Sequence, residues 1–232
     1  MRRLVTPRGL EVVQVLGGRA NAFLVREGDR ALLVDTGRTR ALPRLLRRLD
    51  ALGVARLDAL LLTHAHFDHA ENAAALRDRF GPVVCGGAPE ADQLARGEGA
   101  PIGGTNAATR LVVRLFGCLV EGRLGFAPIA LDRAVGGDGD DLADLGLRVR
   151  LVAVPGHTPG SVAAIVDDDV AVAGDALFGV FPGACMPPWG ADVASLVRSW
   201  DRLLATGCRL FLPGHGRPVT RAVLERTAAG RA

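Results

Sequence analysis

The chain has 232 residues, 49% of them hydrophobic, and a formal net charge of +3. That much apolar material supports a sizeable core and argues against disorder, and no run of about 18 apolar residues is present to span a membrane. Every basic residue is Arg, and no block of them resembles a nucleic-acid patch.

In chain order, residues 10–16, 22–26 and 31–34 read as short strands rich in Val and Leu, separated by Gly-containing turns. A helix is expected over 39–52, ending at Gly53, with Arg44, Arg47 and Arg48 on its solvated face and Leu42, Leu45, Leu46 and Leu49 on its apolar side. Strand 58–62 runs into Thr63-His64-Ala65-His66-Phe67-Asp68-His69. The next helix is predicted to start at Asp68, capped reciprocally by Glu71, and to end at Gly81-Pro82. Strand 83–85 and a short helix near 89–96 follow. Residues 97–136 read as a helical insertion with Gly-rich flanks. Strands resume at 147–154, 161–166 and 169–174, followed by a helix at 191–205, a strand at 209–212 and a last helix at 218–227. No linker divides the chain, so residues 1–232 read as one domain carrying that insertion. The four cysteines, Cys85, Cys118, Cys185 and Cys208, form no Cys-x-x-Cys pair. They read as reduced, buried side chains, and with no signal segment visible the default location is the cytoplasm.

The chemistry gathers on histidine. A strand end places His64 and His66 on one side, because side chains alternate with period two. A turn into helix then brings Asp68 and His69 back towards them. A chance His-x-His-x-Asp-His in a chain of this length is roughly a one in ten thousand event, so the segment reads as a metal site. Three further residues follow apolar strands, where a rigid scaffold hands over to a loop. They are His157 in Pro-Gly-His-Thr-Pro-Gly, Asp175 in Ala-Gly-Asp and His215 in Pro-Gly-His-Gly. All five histidines are thereby used. Nitrogen and carboxylate oxygen ligands suit zinc, and also iron or manganese.

With these motifs the chain resembles the metallo-β-lactamase superfamily, from the first strands to about residue 220. The resemblance implies an α/β fold, a four-layer αβ/βα sandwich with metals at one edge. It implies that His64, His66 and His157 bind one metal, that Asp68, His69 and His215 bind a second, and that Asp175 bridges them. Asp35, in Leu-Val-Asp-Thr-Gly, matches the family's aspartate behind the metal loop; Asp-Thr-Gly also reads simply as a helix start. Two divalent ions, zinc first, would hold a bridging hydroxide with a pKa near 7 for attack on a carbonyl or phosphoryl centre. Asp68 is the catalytic candidate, orienting the hydroxide or shuttling its proton.

An aspartate at position 175 is untypical of true β-lactamases and resembles the glyoxalase II-like, lactonase-like and phosphodiesterase-like branches. Pro-Gly-His-Thr-Pro-Gly and Gly-Asp-Ala-Leu-Phe look nearest to glyoxalase II. The chain departs from that enzyme in lacking tyrosine and a C-terminal helical domain. The expected function is hydrolysis of a small ester, thioester or lactone, without a nucleic-acid or membrane partner. The alternatives are a phosphodiesterase, an iron-dependent persulfide dioxygenase using His64, His157 and Asp175, and a binding module with a structural metal. Residues 97–136 are expected to form a lid hinged at Gly97-Glu98-Gly99 and Gly136-Gly137. Its Leu111, Val112, Leu115, Phe116, Leu119 and Val120 would wall a pocket or a homodimer interface, or pack as ordinary core. Phe178, Phe181, Met186 and Trp189 read as a second pocket wall on a loop, and Cys185 has no base to activate it.

Overall fold

The computed structural model describes residues 1–120, 125–137 and 140–230, with side chains of 117–120 outside the description. One sheet holds β1 (Arg3–Val5), β2 (Glu11–Leu16), β3 (Ala22–Glu27), β4 (Arg30–Val34), β5 (Ala59–Leu61), β6 (Val83–Gly87) and β7 (Arg133–Val135), side by side in that order. The other runs β13 (Val219–Thr220), β12 (Leu210–Gly216), β11 (Val170–Gly179), β10 (Val162–Val166), β9 (Val149–Ala153) and β8 (Asp140–Asp141). The helices are α1 (Leu42–Ala51), α2 (Phe67–Ala70), α3 (Ala73–Phe80), α4 (Ala91–Arg96), α5 (Ala107–Val120), α6 (Val193–Ala205) and α7 (Arg221–Ala229).

Three apolar layers hold four structural layers together. The inner one joins the facing sheets through Phe23, Leu32, Val34 and Leu61 on one side and Leu151, Ala164, Val172 and Leu212 on the other. Leu33 and Leu60, on alternate positions of β4 and β5, pack outward against Leu45, Leu49, Leu76 and Leu94 of the helices. Ile165, Ala171 and Phe211 pack against Leu196, Trp200 and Leu203 of α6 and Leu224 of α7. Strands buried on both faces need apolar residues at consecutive positions, which is why the middle strands read as Val, Leu and Ala runs. The result is the expected α/β four-layer sandwich.

Several sequence expectations need correction. The helix expected over 68–81 is two helices. Asn72 breaks it because its side-chain amide donates to the carbonyls of Thr36, Gly37 and Arg38 at 2.9, 2.9 and 3.0 Å. Glu71 does not cap the helix at Asp68; its carboxylate accepts from the Thr39 backbone N–H and hydroxyl. Strands β11 and β12 run past their expected ends, because their parallel pairing continues through register shifts to Gly179 and Gly216. Asp175 and His215 therefore lie within strands.

The insertion is also narrower than 97–136. Ala100 and Ile129 are buried in the outer core of the first sheet, and 133–135 form its edge strand β7, so only the stretch between them leaves the sandwich. Leu111, Val112, Leu115 and Phe116 of α5 are exposed rather than core. The expectations for Leu119, Val120 and Cys118 lie outside the described side chains. Cys85, Cys185 and Cys208 are free and buried. Among the described residues no helix is long and apolar enough to cross a membrane.

Candidate metal centre

The candidate ligands converge at one edge of the sandwich. His64, His66, Asp68 and His69 come from the turn after β5 and from α2. His157 comes from the turn between β9 and β10, Asp175 from β11 and His215 from β12. Their donor atoms form three overlapping groups: His64, His66 and His157; His64, His69 and Asp175; Asp68, His69 and His215. His64 Nε2 and His157 Nε2 lie 3.0 and 3.1 Å from His66 Nδ1. The carboxylate of Asp175 stands between the two halves, 3.6 Å from His69 Nε2, 3.6 Å from His157 Nε2 and 3.3 Å from His215 Nε2. Asp68 lies 3.4 Å from His215 Nε2 and 3.9 Å from His69 Nε2. The structure thus brings all seven sequence candidates together.

Each ring is aimed by what holds its other nitrogen. His69 Nδ1 is 2.8 Å from Asp35, His157 Nδ1 is 3.0 Å from the Trp189 carbonyl, and His215 Nδ1 meets the Arg19 carbonyl. His64 Nδ1 is 3.0 Å from the Thr63 hydroxyl, which donates to Asp35. These acceptors place the ring proton on Nδ1, so Nε2 presents its lone pair to the centre. His66 alone turns Nδ1 inward. Asp35 is therefore more than a helix start. It also accepts from the Thr63 N–H at 2.9 Å and is buried, with a left-handed φ of 61°.

The electrostatics fit a cation. Burial first, then the neighbouring rings, holds His64 and His66 well below the ordinary imidazole range. His157 is also lowered, burial outweighing Asp175. Burial opposes charge on His69, but Asp35, Asp68 and Asp175 outweigh it and raise that ring to about 10. His215 is raised, its burial outweighed by Asp175. Asp175 is pushed down despite its burial, because His69 and His215 face it. One of its oxygens, Oδ1, is buried without a hydrogen-bond partner. The neutral rings of His64, His66 and His157 and an orphaned buried carboxylate oxygen are what divalent ions with N and O ligands would satisfy, and such an ion would take the place of the protons on His69 and His215.

Two supports escaped the sequence reading. Glu90 is 1% exposed, and its oxygens accept from the Ala65 N–H at 2.6 Å and the Gly160 N–H at 3.0 Å, joining the turn of His64 to that of His157. Asn21 donates from its side chain to the carbonyls of Pro213 and Gly216 at 2.8 and 3.2 Å, fixing the strand that carries His215. Neither residue lies in a histidine motif, so no spacing pointed to it. Gly214 passes so close that an added Cβ would sit 2.1 Å from Asp175 Oδ1 and 2.7 Å from His69 Cε1. Gly214→Ala is expected to lower bound metal by about tenfold or more in affinity, comparable to losing a ligand support. Competition with a metal-binding dye checks this, and unchanged affinity in folded protein would contradict it.

The centre opens into a cavity of about 940 Å³. Its apolar wall includes Phe67, Ile102, Val112, Val113, Phe116 and Trp189, so α5 and the residues before it share one cavity with the candidate ligands. Phe178 lines it from β11 rather than from a loop. Phe181 points to solvent and Met186 packs on the core beside α6, so neither is among the lining residues. The α5 segment is moored to the His157 side. Thr105 donates to the carbonyls of Pro187 and Pro188, and Gly104 pairs with Trp189.

Fold and site together define a four-layer sandwich with a candidate metal centre at its edge. The profile described as Metallo-beta-lactamase superfamily matches residues 15–215, and the chain belongs to that superfamily. It is 31% identical over 175 residues to a hydroxyacylglutathione hydrolase of Acidiphilium cryptum, covering 75% of this chain and 56% of that protein. It is 30% identical over 176 residues to the hydroxyacylglutathione hydrolase GloC of Haemophilus influenzae, covering 73% of this chain and 72% of that protein. The chain thus spans little more than half the length of the first relative and under three quarters of the second. Among solved structures it is similar to TTHA1623 in a di-iron-bound form, with a TM-score of 0.65 and 27% identity over 93% of this chain and 97% of the other.

Proposed function

We propose that this chain is a two-metal hydrolase of a small ester or thioester, with thioesters its preferred class. The observation that carries this is the convergence of seven ligand residues at the floor of an apolar-walled cavity. His64, His66 and His157 would hold one divalent ion, Asp68, His69 and His215 the other, and Asp175 would touch both. When bound, such ions supply Lewis acidity and bring the pKa of water at the site down to near 7.

The chain's own residues do the rest. Phe67, Val112, Phe116 and Trp189 exclude bulk water and grip the apolar acyl part of a substrate. The Asp68 carboxylate, partly exposed at the cavity floor, orients the attacking water and takes its proton. Asp35, Trp189 and Arg19 keep the rings in the tautomers that leave the inward nitrogens free. The similarity to two hydroxyacylglutathione hydrolases supports the thioester preference.

Elemental analysis of carefully metallated protein is expected to find about two ions per chain, zinc foremost, with iron or manganese as functional substitutes. A single ion with His215 dispensable would overturn the two-metal reading. A panel of ester, thioester, lactone and phosphodiester substrates, with oxygen uptake followed on a persulfide, tests the reaction class. Fastest turnover on thioesters is expected; oxygen uptake with no hydrolysis would replace this reading with a dioxygenase.

A further inference from the structure

We propose that an arginine-lined cleft beside the metal cavity seats phosphate groups on the substrate's leaving group, which makes the substrate an acyl thioester of a phosphate-bearing thiol. The proposal deepens the thioester-hydrolase reading and rests on it. Hydrolysis would join the water oxygen to the acyl carbon and break the C–S bond. One proton of the water goes to the sulfur and the other stays with the acid.

The cleft holds about 430 Å³ and is lined by Gly17, Gly18, Arg19, Arg38, Arg40 and Arg44, among others. Arg19 and Arg40 have no side-chain partner among the described residues. Among the described residues Arg44 donates to the Gly17 carbonyl alone, at 3.3 Å. Arg38 lies 3.7 Å from Glu71, whose carboxylate already accepts twice from Thr39. Four guanidinium groups against one carboxylate leave three positive charges in surplus. A phosphomonoester carries about −1.5 to −2 at pH 7. One or two phosphates match that surplus, whereas a single carboxylate does not. The guanidinium fork suits phosphate oxygens in pairs, and Ala41, just ahead of the positive end of α1, lines the same cleft.

Position ties the cleft to the reaction. Arg19 gives its carbonyl to His215, and the Arg38 guanidinium lies 4.7 Å from the centre of the Phe67 ring, which walls the metal cavity. Besides the candidate ligands, the charged lining of that cavity among the described residues is Glu98, and no described arginine lines it. A substrate with an apolar acyl end and an anionic carrier end would thus find its two halves recognised on either side of Phe67.

The test uses metal-loaded wild type and the double variant Arg40→Gln/Arg44→Gln, both at exposed positions. One acyl group is presented on three thiols: coenzyme A, which bears phosphates, glutathione, which bears carboxylates, and neutral N-acetylcysteamine. The wild-type kcat/KM preference for the coenzyme A ester over the neutral one is expected to fall about tenfold or more in the variant, carried by KM, and to fall with added salt. In parallel, calorimetry measures adenosine 3′,5′-bisphosphate binding to both proteins at equal metal content, with about tenfold weakening expected in the variant. Equal binding by both proteins would assign the ligand to the metals and overturn the proposal, as would no binding by wild type. A preference for the glutathione ester would overturn it in favour of a carboxylate carrier. If no thioester is turned over, the thioester-hydrolase reading fails, and the calorimetry still decides the cleft.

Discussion

Asp68→Ala is expected to leave a folded protein that turns over its best substrate about 10³-fold more slowly. The side chain sits partly exposed in the first turn of α2 and, among the described residues, reaches towards His69 and His215. None of the three apolar layers includes it. On the proposed two-metal reading, losing it would remove one ligand of the second ion and the group that positions and deprotonates water, and general-base roles of this kind are worth about 10²–10⁴ in rate. Asp68→Asn keeps an oxygen but not the proton acceptor, so its kcat should stay low even where metal content recovers. Steady-state kinetics with metal content measured on the same samples checks both. Folded, fully metallated Asp68→Ala with wild-type rates would remove Asp68 from the mechanism.

Glu90→Ala is expected to be the costliest single change away from the ligands. It would strip two buried backbone N–H groups, those of Ala65 and Gly160, of their acceptor. An unsatisfied buried donor costs about 1–3 kcal/mol, so a loss of roughly 2–6 kcal/mol is expected from a total of about 5–15 kcal/mol. Glu90→Gln separates charge from shape. Its one carbonyl oxygen can serve one N–H, but its amide nitrogen would point at the other, so it should recover only part of the loss. Because the carboxylate joins the turns of His64 and His157, both variants should also bind metal more weakly. Chemical denaturation with and without metal measures the two effects. A Glu90→Ala protein within about 0.5 kcal/mol of wild type, the usual range for a neutral surface change, would show that the two turns hold themselves.

The histidine spacing and the apolar strands make the candidate ligands and the single strands readable in the sequence, while the sandwich follows from the family resemblance that the motifs carry. Both signals are local, since His64 to His69 lie within one turn and each strand names itself by composition. What stayed hidden depends on partners far along the chain. Asn72 looks like any helical residue until Thr36, Gly37 and Arg38 lie beneath its amide. Asp175 looks like the end of a strand because Gly174 and Gly179 interrupt the apolar run, yet β12 carries the pairing on to Gly216. Residues 126–135 read as part of an insertion because β7 is three residues long and its place at the sheet edge is set by Val84 and Cys85. Arg44 read as a solvated helix face, and only the fold sets it beside Arg19, Arg38 and Arg40.

The Asn21 contact also fixes an order of events during synthesis. Its side chain reaches Pro213, 192 residues later, so the end of the first hairpin waits for nearly the last strand. A ribosome adds about 5–20 residues per second, and His215 therefore emerges roughly 7–30 s after His69 at that pace. During that interval the nascent chain displays His64, His66, Asp68 and His69 without His157, Asp175 or His215. Metal captured then would meet a partial and adaptable ligand set, whichever ion is abundant. The ion carried by the mature protein is accordingly expected to track the metal supply of the cell that makes it, more than the affinities of the finished centre.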